Sequence, residues 1–149
     1  MASLMIAERD FVIEASRDRV WRLIGKVIFS SLPNMENVEI LDENNFRALL
    51  RMKIPGLGLN MKLRGEMVDM SPPESFGVRL ALEGPGGLLQ INQKVNFAMV
   101  PVENRKTSVT CKATAQNMGF FFRLFVMGQA RHFANSTFEA IEKRLQELA

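Results

Sequence analysis

From Phe46 to Ala115 apolar and polar positions alternate with a period of two. Phe46, Ala48, Leu50, Met52 and Ile54 alternate with Arg47, Leu49, Arg51 and Lys53. Met61, Leu63, Gly65 and Met67 alternate with Lys62, Arg64 and Glu66. The same holds for Phe76, Val78, Leu80 and Leu82, for Ile91, Val95, Phe97 and Met99, and for Val109, Cys111, Ala113 and Ala115. With a strand ahead of the turn at Asp42, this predicts six antiparallel strands in a sheet with one wet face. An earlier strand is predicted where Phe11, Ile13 and Ala15 alternate with Val12 and Glu14.

The turns between these strands alternate in character. Asp42 to Asn45, Ser71 to Glu74 and Glu103 to Lys106 are polar. Pro55 to Leu59 and Gly84 to Leu89 are Gly-rich and leucine-tipped. Successive turns of a meander fall at opposite ends of the sheet. The two apolar turns therefore share one end with Asn117 to Val126, the phenylalanine-rich run after the last strand. Exposed apolar clusters of this kind mark a ligand mouth, a membrane contact or a partner surface.

After the first strand Ser16 fits a helix N-cap, and Asp18 falls in the first turn, where the helix dipole favours it. Two short helices are predicted, one carrying Val20, Trp21 and Ile24 and ending or bending at Gly25, the next from Lys26 to Leu32. A long terminal helix is predicted from Met118 to Leu148, about 45 Å at 1.5 Å per residue. Met127, Ala130, Ala134, Phe138, Ile141, Leu145 and Leu148 form its apolar stripe, which must cover the sheet. The expected fold class is α+β in a single domain over residues 1–149: a curved antiparallel sheet around a long C-terminal helix, with two short helices after the first strand.

Composition narrows the function classes. A chain of 149 residues builds one substantial core. The single cysteine, Cys111, rules out an internal disulfide and points to a reducing compartment. The opening residues reach charge by Glu8 and do not read as a secretory leader, and no apolar run approaches a membrane span. Ten Met and eleven Phe, with no Tyr, suit either an ordinary core or an adaptable apolar cavity.

Candidate chemistry is sparse. The only histidine, His132, falls about 155° from the apolar stripe and reads as a surface residue. No spacing suggests a metal site, and Cys111 reads as a buried, inert thiol. The run from Gly84 to Gly87 opens a strand and lacks the features of a phosphate loop. Arg47, Arg51, Lys53, Lys62, Arg64, Arg79 and Lys94 share the outward face. Without exposed aromatics among them they are read as a solvated face, not a nucleic-acid site.

Phe11 to Ile24 (F-V-I-E-A-S-R-D-R-V-W-R-L-I), Ser31 to Asn34 (S-L-P-N) and the terminal helix together resemble the START-like, polyketide-cyclase-like (SRPBCC) superfamily. Within it the chain is most similar to the family of the carbon monoxide dehydrogenase G subunit, with Asn34 at a position where that family carries glycine. The resemblance implies a helix-grip fold enclosing a cavity between sheet and long helix. It also implies an accessory role: hydrophobic ligand binding (a quinone or lipid), association with a molybdenum hydroxylase, and a cytoplasmic location, peripheral on the inner face of the membrane. No cofactor beyond such a ligand is required.

On this reading the ligand meets Leu50, Met52, Leu63, Val78, Leu80, Ile91, Phe97 and Cys111 from the sheet, and Leu124 and Met127 from the helix. Gln93, a rare inward polar position, and Arg123 orient it. If the cavity is filled, the same inward residues are simply the core, and Arg123 meets a loop carbonyl instead. Leu57, Leu59 and Leu88 form the lips of the mouth with Phe121, Phe122 and Phe125. The alternatives are a cyclase-like or hydrolase-like enzyme, for which Asp69 is the one inward acid, and a membrane or partner tether without a filled pocket. Burying one phenylalanine is worth roughly 1.5–3 kcal/mol, so Phe121, Phe122 and Phe125 are expected to meet a membrane, a partner or the neighbouring loops. Replacing Phe122 and Phe125 together by serine is therefore expected to weaken liposome binding or shift the oligomeric state, and no change in either defeats the assignment.

Overall fold

The computed structural model describes residues 4–31, 35–54, 57–84, 90–116 and 127–149, with side chains except those of residues 29, 30, 52–54, 57–59 and 129. The strands are β1 (Leu4–Ile13), β2 (Met35–Ile40), β3 (Asn45–Ile54), β4 (Leu57–Ser71), β5 (Ser75–Glu83), β6 (Gln90–Glu103) and β7 (Lys106–Gln116). The helices are α1 (Arg17–Ser31) and α2 (Met127–Leu148). All strands join one antiparallel sheet in the order β1-β7-β6-β5-β4-β3-β2. The consecutive run from β2 to β7 is the expected meander, and it places the three polar turns at one end.

Alternation sorts the sheet into two faces. Leu50, Leu63, Val78, Leu80, Ile91, Phe97 and Cys111 are buried inside, while Arg47, Arg51, Lys62, Arg64 and Arg79 are exposed outside. Val20, Ile24, Val27 and Ile28 of α1 and Ala130, Ala134, Phe138, Ile141 and Leu145 of α2 close the inner face. An aromatic ladder runs from one helix to the other. Trp21 meets Phe76 edge-on at 5.5 Å, Phe76 stacks on Phe97 at 4.8 Å, and Phe97 meets Phe138 edge-on at 6.3 Å.

Three ties fasten the helices. Arg9 Nε donates to Glu142 Oε1 at 2.8 Å, holding α2 to β1. Arg19 Nη2 donates to the Leu148 carbonyl at 2.9 Å, a cation on the last turn of α2 where the dipole favours it. Buried Thr107 Oγ1 donates to the Ala15 carbonyl at 2.8 Å, anchoring the bend into α1. Ser16 caps α1 as expected, accepting from the Arg19 amide at 3.3 Å.

The structure corrects several expectations. The two short helices are one: α1 continues through Gly25 to Ser31. Leu57 to Leu59 belong to β4, since Ile54 pairs directly with Leu57, so this turn is tighter than five residues. Leu148, assigned to the stripe, is 37% exposed at the end of α2. Asp69, expected inside, is exposed outside. A bulge between Val68 and Ser71 resets the alternation, with Asp69 at φ 53°, a backbone region that Asp tolerates better than most residues. The expected first turns of the long helix, residues 118–126, lie outside the described residues.

Gly65 is required by packing. It faces Phe46 across β3 and β4, and a methyl group there would run into the buried Phe46 ring. Gly25, inside α1, has open space around its Cβ position. Gly65→Ala is expected to destabilise the fold by about 1–3 kcal/mol, and Gly25→Ala to stabilise it by about 0.4–1 kcal/mol. Urea unfolding of the two variants checks this, and equal effects would contradict the packing assigned to Phe46.

Candidate functional site

The inner face does not close completely. A cavity of about 30 Å³ remains between β3, β5 and β6 on one side and α2 on the other, with Ile28 of α1 at its border. Val78, Leu80, Gln93 and Phe97, four of the expected ligand contacts, line it. Leu50, Leu63, Ile91 and Cys111 are buried in the surrounding core and do not line it, and Met127 is only partly buried against that core. Met52, Arg123, Leu124, Leu57, Leu59, Leu88, Phe121, Phe122 and Phe125 have side chains outside the described residues.

The wall also includes residues that the spacing argument did not assign to a site: Phe46, Val95, Phe133, Ala134, Thr137, Phe138 and Ile141. Phe46, Val95, Ala134, Phe138 and Ile141 were already legible as inward or stripe positions. Phe133 and Thr137 lie beside the stripe, and only the direction from which the sheet curves round α2 brings them in. The Thr137 hydroxyl donates back to the Phe133 carbonyl at 2.8 Å, so its proton is already used within the helix.

Gln93 stands apart. It is 3% exposed, and its Nε2 has no hydrogen-bond partner. A buried donor left unmade costs about 1–3 kcal/mol. The rest of the described cavity wall is apolar but for Thr137, and it carries no ionisable group. Asp69, the acid that an enzymatic reading needs, is on the opposite face. Lys94 Nζ donates to its carboxylate at 2.5 Å, and this hydrogen bond with the lysine's charge holds its pKa below the usual aspartate value. Asp42, in the first polar turn, is lowered by hydrogen bonds from the Asn44 amide and the Asn45 side chain. Burial, reinforced by the charge of Asp10, pushes the Cys111 thiol up to about 12. His132 is exposed on α2. No group of three or more metal-ligating side chains occurs among the described residues, and no described helix is long and apolar enough to cross a membrane.

These features sit in a family. The model of the carbon monoxide dehydrogenase G subunit (CoxG) family matches residues 10–146. The chain belongs to that family. No curated protein matches this CoxG member in sequence. Solved structures share its helix-grip architecture at low identity. A conserved protein from Geobacillus kaustophilus is similar with a TM-score of 0.71 and 17% identity, over 94% of each chain. Norcoclaurine synthase from Thalictrum flavum, in complex with dopamine and hydroxybenzaldehyde, is similar with a TM-score of 0.67 and 16% identity, over 99% of this chain and 86% of its own. A START superfamily protein from Mycobacterium smegmatis has a TM-score of 0.62 and 14% identity, over 96% of this chain and 98% of its own. At these identities the likeness is one of fold.

Two outcomes follow from the site's chemistry. Gln93→Met replaces the unpaired amide by an apolar group of similar length, and is expected to stabilise the ligand-free protein by about 1–3 kcal/mol in urea unfolding. A loss of stability would mean that the amide is satisfied in solution. With a pKa near 12, roughly one Cys111 thiol in ten thousand is ionised at pH 8. Native protein is therefore expected to resist a thiol reagent that labels the urea-unfolded chain at once. The sign of the linkage is also fixed. The raised pKa contributes stability that is intact below the unfolded value of 9.0 and is lost as pH climbs from there towards 12.

Proposed function

We propose that this CoxG-family protein binds an apolar small molecule, a quinone or lipid, between its sheet and α2, and serves as a non-catalytic accessory to a molybdenum hydroxylase at the membrane surface. The observation that carries the reading is the unpaired Gln93 amide, buried on the wall of an otherwise nearly apolar cavity. A plain core has no use for it, since an apolar side chain of that volume would pack there without loss. A ligand with one hydrogen-bonding oxygen and an apolar body gives the amide a partner, and apolar burial supplies the affinity.

The family membership supports a ligand-binding role and association with carbon monoxide dehydrogenase. The norcoclaurine synthase complex is an instance of small aromatic molecules held by a protein of this fold. The enzymatic alternative draws no support from the cavity. Acid–base chemistry needs a titrating group within reach of the substrate, and the described wall offers none.

The cavity is much smaller than its proposed ligand. Ligand pockets run to roughly 300–1,000 Å³, whereas this one has room for about one water. Binding on this reading spreads the sheet and α2, and the Phe46, Phe97, Phe133 and Phe138 rings move aside.

Native mass spectrometry of freshly purified protein, followed by solvent extraction, tests the reading. A mass excess that is released by extraction and identified as a quinone or lipid is the expected result. An unshifted mass, with a melting temperature unmoved by saturating quinones or fatty acids, defeats it.

A further inference from the structure

The outer sheet face carries a second hollow, whose lining shares Phe46 and Gln93 with that of the cavity. Arg47, Arg64, Ala81, Asn92 and Gln116 form a single cross-strand row from β3 to β7. Above this row lies a hollow of about 830 Å³, bordered at one end by Leu41 and Asp42 of the first polar turn. Ala81 has only a methyl group, which keeps the middle of the row low. Two smaller hollows of about 260 and 330 Å³ adjoin it, and Arg64 lines all three.

The charges around it are unevenly matched. Arg47 is held by Glu39 at 2.5 Å, Arg51 by Glu36 at 3.3 Å, Arg79 by Glu66 at 3.8 Å, Lys94 by Asp69 at 2.5 Å and Lys112 by Glu8 at 3.8 Å. Arg64 and Lys62 have no carboxylate within ion-pairing distance among the described residues. Arg64 also sits directly opposite Arg47, and like charges directly opposite each other destabilise a sheet. Glu39 pairs with one guanidinium; no described carboxylate pairs with the other, although Asp42 and Glu66 line the same hollow.

We propose that this hollow docks an extended, carboxylate-bearing segment of a partner protein, with a partner Asp or Glu on Arg64. A guanidinium offers a planar fork that takes a carboxylate through two parallel hydrogen bonds. The amides of Asn92 and Gln116, in the same row, supply donors and acceptors for a main chain. Five strands at about 4.8 Å spacing give a row roughly 19 Å long, the span of about six extended residues. A bilayer fits less well. It presents a broad surface to protruding side chains, whereas here the cation stands beside a concavity in which Leu41 is the one exposed large apolar side chain.

The test is a titration of the ¹⁵N-labelled full chain with the hexapeptide acetyl-(Glu-Gly)₃-amide, followed by amide and arginine Nε–H shifts. Shifts confined to residues 41–47, 62–66, 79–81, 92–94, Gln116 and the Arg64 side chain are expected. Affinity is expected to fall about tenfold or more in Arg64→Gln, and also in Ala81→Leu, which fills the floor without changing charge. Arg22→Gln, on the exposed face of α1, is expected to bind as the parent does. The spectra of the variants show directly that each is folded. Diffuse shifts, no binding, or an equal loss in Arg22→Gln overturns the proposal. So does Arg64-dependent binding to phosphatidylserine vesicles by a protein that ignores the peptide.

Discussion

A seven-stranded sheet with one apolar face does not persist in water until that face is covered, and in this chain the cover is two helices. Everything described on the inner side depends on the fit between that sheet and the α2 stripe. The stripe is graded: Ala130 and Ala134 occupy its first half, and Phe138, Ile141 and Leu145 the second. Where the stripe is large, the aromatic ladder from Trp21 to Phe138 fills the interior. The residual cavity borders Ala134 and Thr137, and also Phe133, Phe138 and Ile141.

The same helix is fastened unequally. Its ties to Arg9 and Arg19 fall at Glu142 and Leu148, in the second half. In the first half the described contacts are apolar, from Met127, Ala130, Phe133 and Ala134. Apolar packing yields and re-forms around a guest more readily than a charge-assisted hydrogen bond, because dispersion contacts have no fixed direction. A ligand much larger than the present cavity therefore meets less resistance at the end of α2 that carries the small residues. Gln93 lines the cavity together with Phe133 and Ala134 of the first half and Phe138 and Ile141 of the second.

Much of this was legible in the sequence, for reasons that differ by residue. Period two identified the inner face wherever the register was unbroken, and so it placed Val78, Leu80, Gln93 and Phe97 inward, as it did Leu50, Leu63, Ile91 and Cys111, without telling which of them border the cavity. It failed at Asp69, because one bulge shifts every later position of the strand to the other face until the pairing resumes at Ser71. Gly25 misled for a different reason. Its helix penalty of about 1 kcal/mol is smaller than the gain from burying Val27 and Ile28 on the far side of it. Phe133 and Thr137 were missed because a helical stripe gives a direction and not a width. The size of the void was beyond any pattern, since it is a small difference between large packed volumes.

Among the described residues the inner face keeps an unpartnered amide, Gln93, and the outer face two cations without an ion pair, Arg64 and Lys62. Gln93 and Arg64 are close neighbours through the sheet. Gln93 pairs with Leu80 across β5 and β6, and the adjacent pair, Asn92 with Ala81, belongs to the outer row that contains Arg64. Successive residues of a strand point to opposite faces, so Gln93 and Asn92 are carried by one stretch of β6 backbone. A displacement of that backbone that brings the amide onto a guest also moves Asn92 in the outer hollow. The two proposed sites therefore draw on one stretch of β6 backbone. A packed core with a passive outer surface would need neither group and would be more stable without the buried one.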